Sequence, residues 1–424
     1  MSEHYSHVRR NLFSLTGDFV SFSIGFAFFD PLVIVPAFAR ALNGPEMVIG
    51  ALAAVRVIMV TLPQVWAASM LAASPRKKPL LAWSSLGGRL PVLLLAFATL
   101  YGARQHPALV LAMLGLTVLL FFTSEGLNSI SWPDMVGKVL PPTIRGRFLG
   151  VGQLLSSGGA LLAGYAMRHI LAADALVFPD SWALIFACAF VGLIGSLGFI
   201  LLIRESPSDK PAAPVDVRKH VGLLFHYLRQ DERLRRVVAV QVLLYTASAT
   251  FPFFVIRAQD LVPDISAMLG GFVIVQNLGG MTAALACGYL VDRIGSWAAV
   301  RVGAAAECVA LGLVALAPLM PQPQIIYLAA FFPLGLFTGS SWWVFTSYLM
   351  DIADEERRPG YLAASGILTS PVFVASLIVG AVFSSMTAEI VFGVALVFAL
   401  LALGLSFTLA RMRAGRPLPR SDGA

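Results

Sequence analysis

Six ionisable side chains stand in stretches that are otherwise almost wholly apolar: Asp18, Asp30, Arg56, Arg89, Glu125 and Glu307. A charged group in hydrocarbon costs roughly a few kcal/mol on insertion scales, so each asks for a partner or a water path. The chemistry open to such a set is narrow. They can pair and pin helices together with their charges neutralised. Alternatively, one carboxylate can exchange a proton as the water around it changes. Both readings stay open for Asp30 with Arg56 and for Glu125 with Arg89. Glu125, Asn128 and Trp132 follow one another at i, i+3 and i+7, which lays them along one helix face. Trp342 with Thr346 forms a later stripe of similar kind, and Gln153, Gln241, Tyr245, Gln276 and Asn277 add polarity. Such stripes serve packing as readily as ligand contact.

Other chemistries find no support. The six histidines fit no H-E-x-x-H or other ligand pattern, and the cysteines Cys188, Cys287 and Cys308 are scattered, so no metal site is expected. No nucleophile with a base can be assembled, and there is no G-x-x-x-x-G-K-[ST] loop for ATP. The chain reads as a non-enzyme without cofactors.

The elements that must position these charges follow from composition. Of 424 residues, 58% are hydrophobic and 12% charged, against about 25% charged in soluble domains. Mean hydropathy is +0.81, so lipid is the expected solvent. Stretches long enough to cross a bilayer at about 1.5 Å per residue recur twelve times, over 12–40, 47–73, 79–102, 107–132, 147–171, 181–203, 236–258, 266–290, 297–318, 325–350, 360–386 and 388–411. The first follows Arg9 and Arg10 and ends near Ala37-Phe38-Ala39, which imitates a leader cleavage site. It is too long for a signal core and carries two aspartates, so it counts as a span.

Basic residues orient the bundle. With both termini inside, 24 of the 30 Lys and Arg fall on the inner side, four outside and two within spans. The positive-inside rule then places both termini in the cytoplasm of a bacterial inner-membrane protein. The net charge of +7 reflects this topology and attraction to lipid, and nucleic acid is not an expected partner. Counted from the inner end at about 1.5 Å per residue, Asp30 and Arg56 lie near 24 and 25 Å, Asp18 and Glu125 near 9 and 10 Å, and Arg89 near 15 Å. Asp30 is thus expected to pair with Arg56, while Asp18 and Glu125 compete for Arg89.

The chain also repeats. Asp134 precedes Arg145-Gly146-Arg147 as Asp351 precedes Arg358-Pro359-Gly360-Tyr361, the two arginines lying 213 residues apart. Pro31 and Pro252 occupy similar places in the first and seventh spans. The segments 1–203 and 236–411 read as two six-helix halves. Between them 204–235 forms a linker, with an amphipathic surface helix over 217–234, and 412–424 is a tail. The expected fold class is an all-α membrane protein of twelve helices in pseudo-twofold-related halves.

Gly288-Tyr289-Leu290-Val291-Asp292-Arg293-Ile294-Gly295 resembles the G-x-L-x-D-R-x-G loop of major facilitator transporters, and the segments at Arg145 and Arg358 resemble elements that open their fifth and eleventh helices. That resemblance implies secondary transport of a small solute by alternating access. It also implies that Asp292 and Arg293 brace an inner gate near Arg145, with Asp292 favoured beside a helix N-terminus. Two departures are plain. The matching first-half loop, Ser74-Pro75-Arg76-Lys77-Lys78, lacks the aspartate and glycine, and the fifth span lacks the Gly-Pro pair of drug/proton antiporters. Arg76, Lys77 and Lys78 are expected instead to face Asp351, Asp354, Glu355 and Glu356. A proton-coupled monomer is the leading expectation. An uncoupled carrier and a non-transporting sensor or assembly protein are the alternatives.

Overall fold

The computed structural model describes residues 7–206, 228, 231–262, 265–354 and 358–409. Among them the chain forms helices α1 (Val8–Phe28), α2 (Ile34–Ala41), α3 (Glu46–Ala73), α4 (Lys78–Gly102), α5 (Pro107–Val139), α6 (Pro142–Ala172) and α7 (Asp180–Leu202). The second series is α8 (Glu232–Ser248), α9 (Pro252–Leu261), α10 (Leu269–Arg293), α11 (Ser296–Leu316), α12 (Pro323–Ile352), α13 (Arg358–Thr369), α14 (Phe373–Phe383) and α15 (Ala388–Ser406). Ten spans are long and apolar enough to cross a membrane. The rod α1–α2 and helix α6 complete the expected set, their hydropathy lowered by polar residues such as Asp18 and Gln153. The amphipathic linker helix and the tail fall almost wholly outside the described residues.

Three rods are broken, each at a proline. Pro31 has no N–H and disfavours helical geometry in the residue before it, so α1 stops at Phe28 and α2 resumes at Ile34. In the repeat, α8 stops at Ser248 and Pro252 opens α9 in the first-turn position where its missing N–H costs nothing. A 3₁₀ turn over Ser370–Val372, containing Pro371, separates α13 from α14.

The packing repeats as the sequence does. In the first half α1 packs on α6 and α7, α3 on α5, and α4 on α5 and α7. In the second half α8 packs on α13 and α15, α10 on α12, and α11 on α12 and α15. Outward-facing Leu94, Val191, Leu285 and Val394 are about half exposed or more. An apolar belt of this extent is tolerable only against lipid tails.

The halves meet through α3 with α14 and α6 with α10. Both crossings lie at the end of the bundle that carries Arg40, Glu46 and Asp260, called here the closed end. Small residues let the backbones touch: a Cβ on Gly50 would sit 2.4 Å from the Ser376 carbonyl oxygen, and one on Gly270 2.3 Å from that of Gly164. Arg40 bridges the halves, 2.8 Å from Glu46 and 2.6 Å from Asp260. A partly exposed pair of this kind contributes about 0–1 kcal/mol, so packing is the main seal. At the opposite, open end the loops near Lys78, Arg145 and Ser296 belong to separate halves.

A bulkier residue at Gly50 should loosen the seal. In a background with Cys188, Cys287 and Cys308 replaced by alanine, Gly50→Val is expected to speed maleimide labelling of Ser376→Cys several-fold. Equal labelling rates with glycine and valine at this position would show that the crossing does not close this end.

Candidate functional site

A cavity of about 430 Å³ lies inside the first half, walled by α1, α3, α4, α5 and α7. Its wall is largely apolar, with the rings of Phe19, Phe22, Phe26, Phe122 and Trp132, and it is also lined by Asp18, Arg56, Arg89, Glu125 and Asn128. The sequence-derived cluster is therefore real in space, but its wiring differs from the expected ion pairs. No Asp18–Arg89 or Glu125–Arg89 pair lies within 4 Å. The link runs through a hydroxyl: Arg89 Nη2 donates to Ser196 Oγ at 2.9 Å, and Ser196 Oγ donates to Asp18. Trp132 Nε1 donates to the other Asp18 oxygen at 2.7 Å, so the stripe on α5 does more than pack. Glu125 accepts only from Asn128 Nδ2, at 3.3 Å. Arg89 is 2% exposed, and its Nε and Nη1 have no hydrogen-bond partner among the described residues.

Asp30 is also placed differently from expectation. Its Oδ1 accepts the backbone N–H groups of Leu32 and Val33, both at 2.8 Å, where the break after α1 frees them. Its Oδ2 accepts Gln276 Nε2 of the second half at 3.1 Å. Arg56 feels the Asp30 charge but lies beyond ion-pair distance, and its guanidinium sits 5.8 Å from the Phe122 ring centroid. Depth along helices brought the two together in the expectation. The N–H groups released beside Asp30 are nearer acceptor-seekers than the guanidinium.

A second cavity, of about 240 Å³, lies between the halves. Arg56 and Val57 line it from the first half, and Tyr245, Ser248, Thr338 and Ser341 line it from the second. Arg56 thus stands on the wall of both cavities.

A family model described as Major Facilitator Superfamily matches residues 18–372. The chain belongs to the Major Facilitator Superfamily. No curated protein matches the chain. Among solved structures, a mutant of the nucleoside transporter NupG is 13% identical, with 94% of this chain and 99% of that chain covered and a TM-score of 0.71. A D-xylose-proton symporter is 16% identical over 96% and 99% of the two chains, with a TM-score of 0.68. A bacterial homologue of the iron transporter ferroportin, in an inward-facing state, is 16% identical over 95% and 99%, with a TM-score of 0.66. At these identities the likeness is one of fold. The superfamily is one of membrane transporters, and this chain is an integral membrane protein of that kind.

The facilitator loop motif sits at the open end, one turn from where the sequence suggested. Helix α10 runs on to Arg293, so Asp292 lies in its last turn, four residues before α11 opens at Ser296. Gly288 lies in the same helix. Gly295, at φ 124°, makes the reversal into α11 that a residue with a Cβ would resist. Asp292 is exposed, and Arg293 lies against Tyr289 at 5.3 Å. Neither reaches Arg145, which donates to the carbonyl oxygens of Leu140 and Gly137 and so caps the C-terminus of α5. Arg358 is exposed on α13, while Tyr361 of the same element donates to Asp231, the N-cap of α8, at 2.5 Å.

Lys77 and Lys78 have partners within the first half. Lys77 lies 3.6 Å from Asp134, and Lys78 Nζ donates to the carbonyls of Leu201 and Ile203. Asp351 accepts from Ser296 at 2.5 Å, and Glu355 and Glu356 fall outside the described residues. Glu205, not singled out in the sequence, caps α4 by accepting from Lys77 N and Lys78 N and pairs with Lys138 at 2.7 Å.

Of the remaining candidates, Gln241 accepts from Ser365 at 2.6 Å, Asn277 donates to its own helix at Val273, and Gln153 and Trp342 are exposed away from both cavities. Glu307 is fully buried in α11, and both its oxygens lack hydrogen-bond partners among the described residues. Burying an ionised carboxylate without a partner costs several kcal/mol, and Glu307→Gln removes that cost at equal volume. Its melting temperature is expected to match or exceed that of wild type; a marked fall would show that the acid itself is needed. Ser196→Ala, in contrast, leaves Asp18 and Arg89 each short of a bond and should destabilise by about 1–3 kcal/mol, read as a lower melting temperature. An unchanged value would remove the hydroxyl link from the site.

Proposed function

We propose that the protein is a secondary transporter moving a small solute by alternating access, coupled to protons. The open end and both termini face the cytoplasm of a bacterial inner membrane, and the chain works as a monomer in lipid. In this reading the moving bodies are 1–203 and 236–411, joined by 204–235.

One observation carries the coupling: two carboxylates, Asp18 and Glu125, face the same cavity around one buried arginine, Arg89. Two acids near one cation cannot both be fully neutralised by it. Asp18 already holds Ser196 and Trp132, whereas Glu125 has a single long contact with Asn128. Glu125 is therefore the carrier in this reading. Supporting alternating access, the halves touch at the closed end and part toward the open one. Asp292, Arg293 and Arg145 are free to approach each other when the open end shuts. The likeness to a D-xylose-proton symporter adds that this fold can host coupling.

The test uses the full chain in proteoliposomes loaded with a pH-sensitive dye. A transported solute should evoke proton flux in wild type and at least about tenfold less in Glu125→Gln, a loss of about 1.4 kcal/mol or more in the coupled step. Exchange of labelled solute at equal pH should persist in that variant. Asp30→Asn, which weakens the cap on α2 and the Gln276 bond, should impair both activities alike. Full proton flux with Glu125→Gln would favour an uncoupled carrier, and no exchange by wild type with any solute would favour a sensor or assembly role.

A further inference from the structure

Resting on the reading of the first-half cavity as a transport site, we propose that its solute is an aromatic carboxylate whose anionic group is held by Arg56. The guanidinium of Arg56 lies against the Phe122 ring, 5.8 Å from its centroid, and meets no anion at ion-pair distance. Arg56 makes no hydrogen bond or ion pair among the described residues, although it lies mid-way along a membrane-spanning helix. Its nearest acid, Asp30, spends its oxygens on Leu32, Val33 and Gln276. A guanidinium in so apolar a setting is costly unless an anion meets it, and its planar fork matches a carboxylate bidentately.

A second arginine points the same way. Arg89 is buried, faces the same cavity, and has two nitrogens without partners. The body of the solute is indicated by the rest of the wall. Phe22, Phe26, Phe122 and Trp132 present ring faces and edges, and about 430 Å³ suits a one- or two-ring molecule.

The acids on the wall explain the coupling as well. Asp18 is already saturated by Ser196 and Trp132, but an ionised Glu125 would repel an incoming carboxylate. A proton on Glu125 removes that repulsion, so solute and proton enter together. No covalent step is involved.

Equilibrium binding to the full-length protein in lipid nanodiscs tests the proposal, read by quenching of tryptophan fluorescence at a single fixed pH. The probes are naphthoate, its uncharged isostere naphthamide, and inorganic phosphate. Naphthoate should bind, naphthamide should bind at least about tenfold more weakly, and phosphate should fail to displace naphthoate. Arg56→Gln should weaken naphthoate about tenfold to a hundredfold and leave naphthamide unchanged. Arg56→Lys, which keeps the charge but loses the fork, should fall between and guards against misfolding of the glutamine variant.

The proposal is overturned if naphthoate fails to bind at millimolar concentration, if the amide binds equally well, or if Arg56→Gln binds naphthoate like wild type. Displacement by phosphate at equal concentration would overturn the aromatic part. No proton gradient enters this measurement, so its failure leaves the coupling reading standing, and loss of coupling leaves this one standing.

Discussion

Between Phe28 and Ile34 the backbone leaves helical geometry within a membrane-spanning rod, and N–H groups freed there find no acceptor in lipid. Asp30 supplies one. A single carboxylate oxygen takes two of those N–H groups, and the other reaches Gln276 across the interface between the halves. The rest of the site depends on this arrangement. It holds α2 against the closed end and ties α10 to α1 near mid-depth. It also occupies the one acid close to Arg56, which leaves that guanidinium facing both cavities.

The two cavities differ in chemistry. The larger belongs to one half and combines rings with ionisable groups, while the smaller spans both halves and is rich in hydroxyls. A group on the shared wall can hold its ligand while the neighbouring surface changes. A residue on only one wall cannot. That distinction separates Arg56 from Arg89, which is fixed to Ser196 within the first half, and from Glu307, which touches neither cavity.

Much of the architecture was legible because lipid enforces it. Apolar runs of bilayer length and the recurrence around Arg145 and Arg358 follow from constraints acting on whole segments. The cluster of Asp18, Arg89 and Glu125 was legible from helical rise alone. Its wiring was not, because Ser196 is one serine among many and no pattern marks a hydroxyl that joins an arginine to an aspartate. Depth placed Asp30 level with Arg56, but depth says nothing of backbone N–H groups released by a break. Asp292 was read as lying beyond its helix because the apolar run ends near Leu290, whereas backbone bonding continues to Arg293. Gln153 and Trp342 are exposed and line neither cavity, since polarity or aromaticity in a span does not by itself reveal which surface the residue joins.

A transporter of this design needs a seal that holds one state and still yields. The closed end meets that requirement through its materials. Glycine-mediated contacts at Gly50 and Gly164 gain dispersion energy only at short range, so a small rotation forfeits much of it at once. The Arg40 bridge adds little once water reaches it. Two states separated by a few kcal/mol can be exchanged by a ligand that binds one of them better, and only by that difference in affinity. In the proposed cycle, Arg56 and Gln276 lie where such a difference would arise. Opening of the closed end would part the halves across the Asp30–Gln276 bond, and the polar groups so exposed would have to be met by water or by solute. On that reading the bond that completes the helix break in one state is also the one whose loss a bound solute would offset in the other.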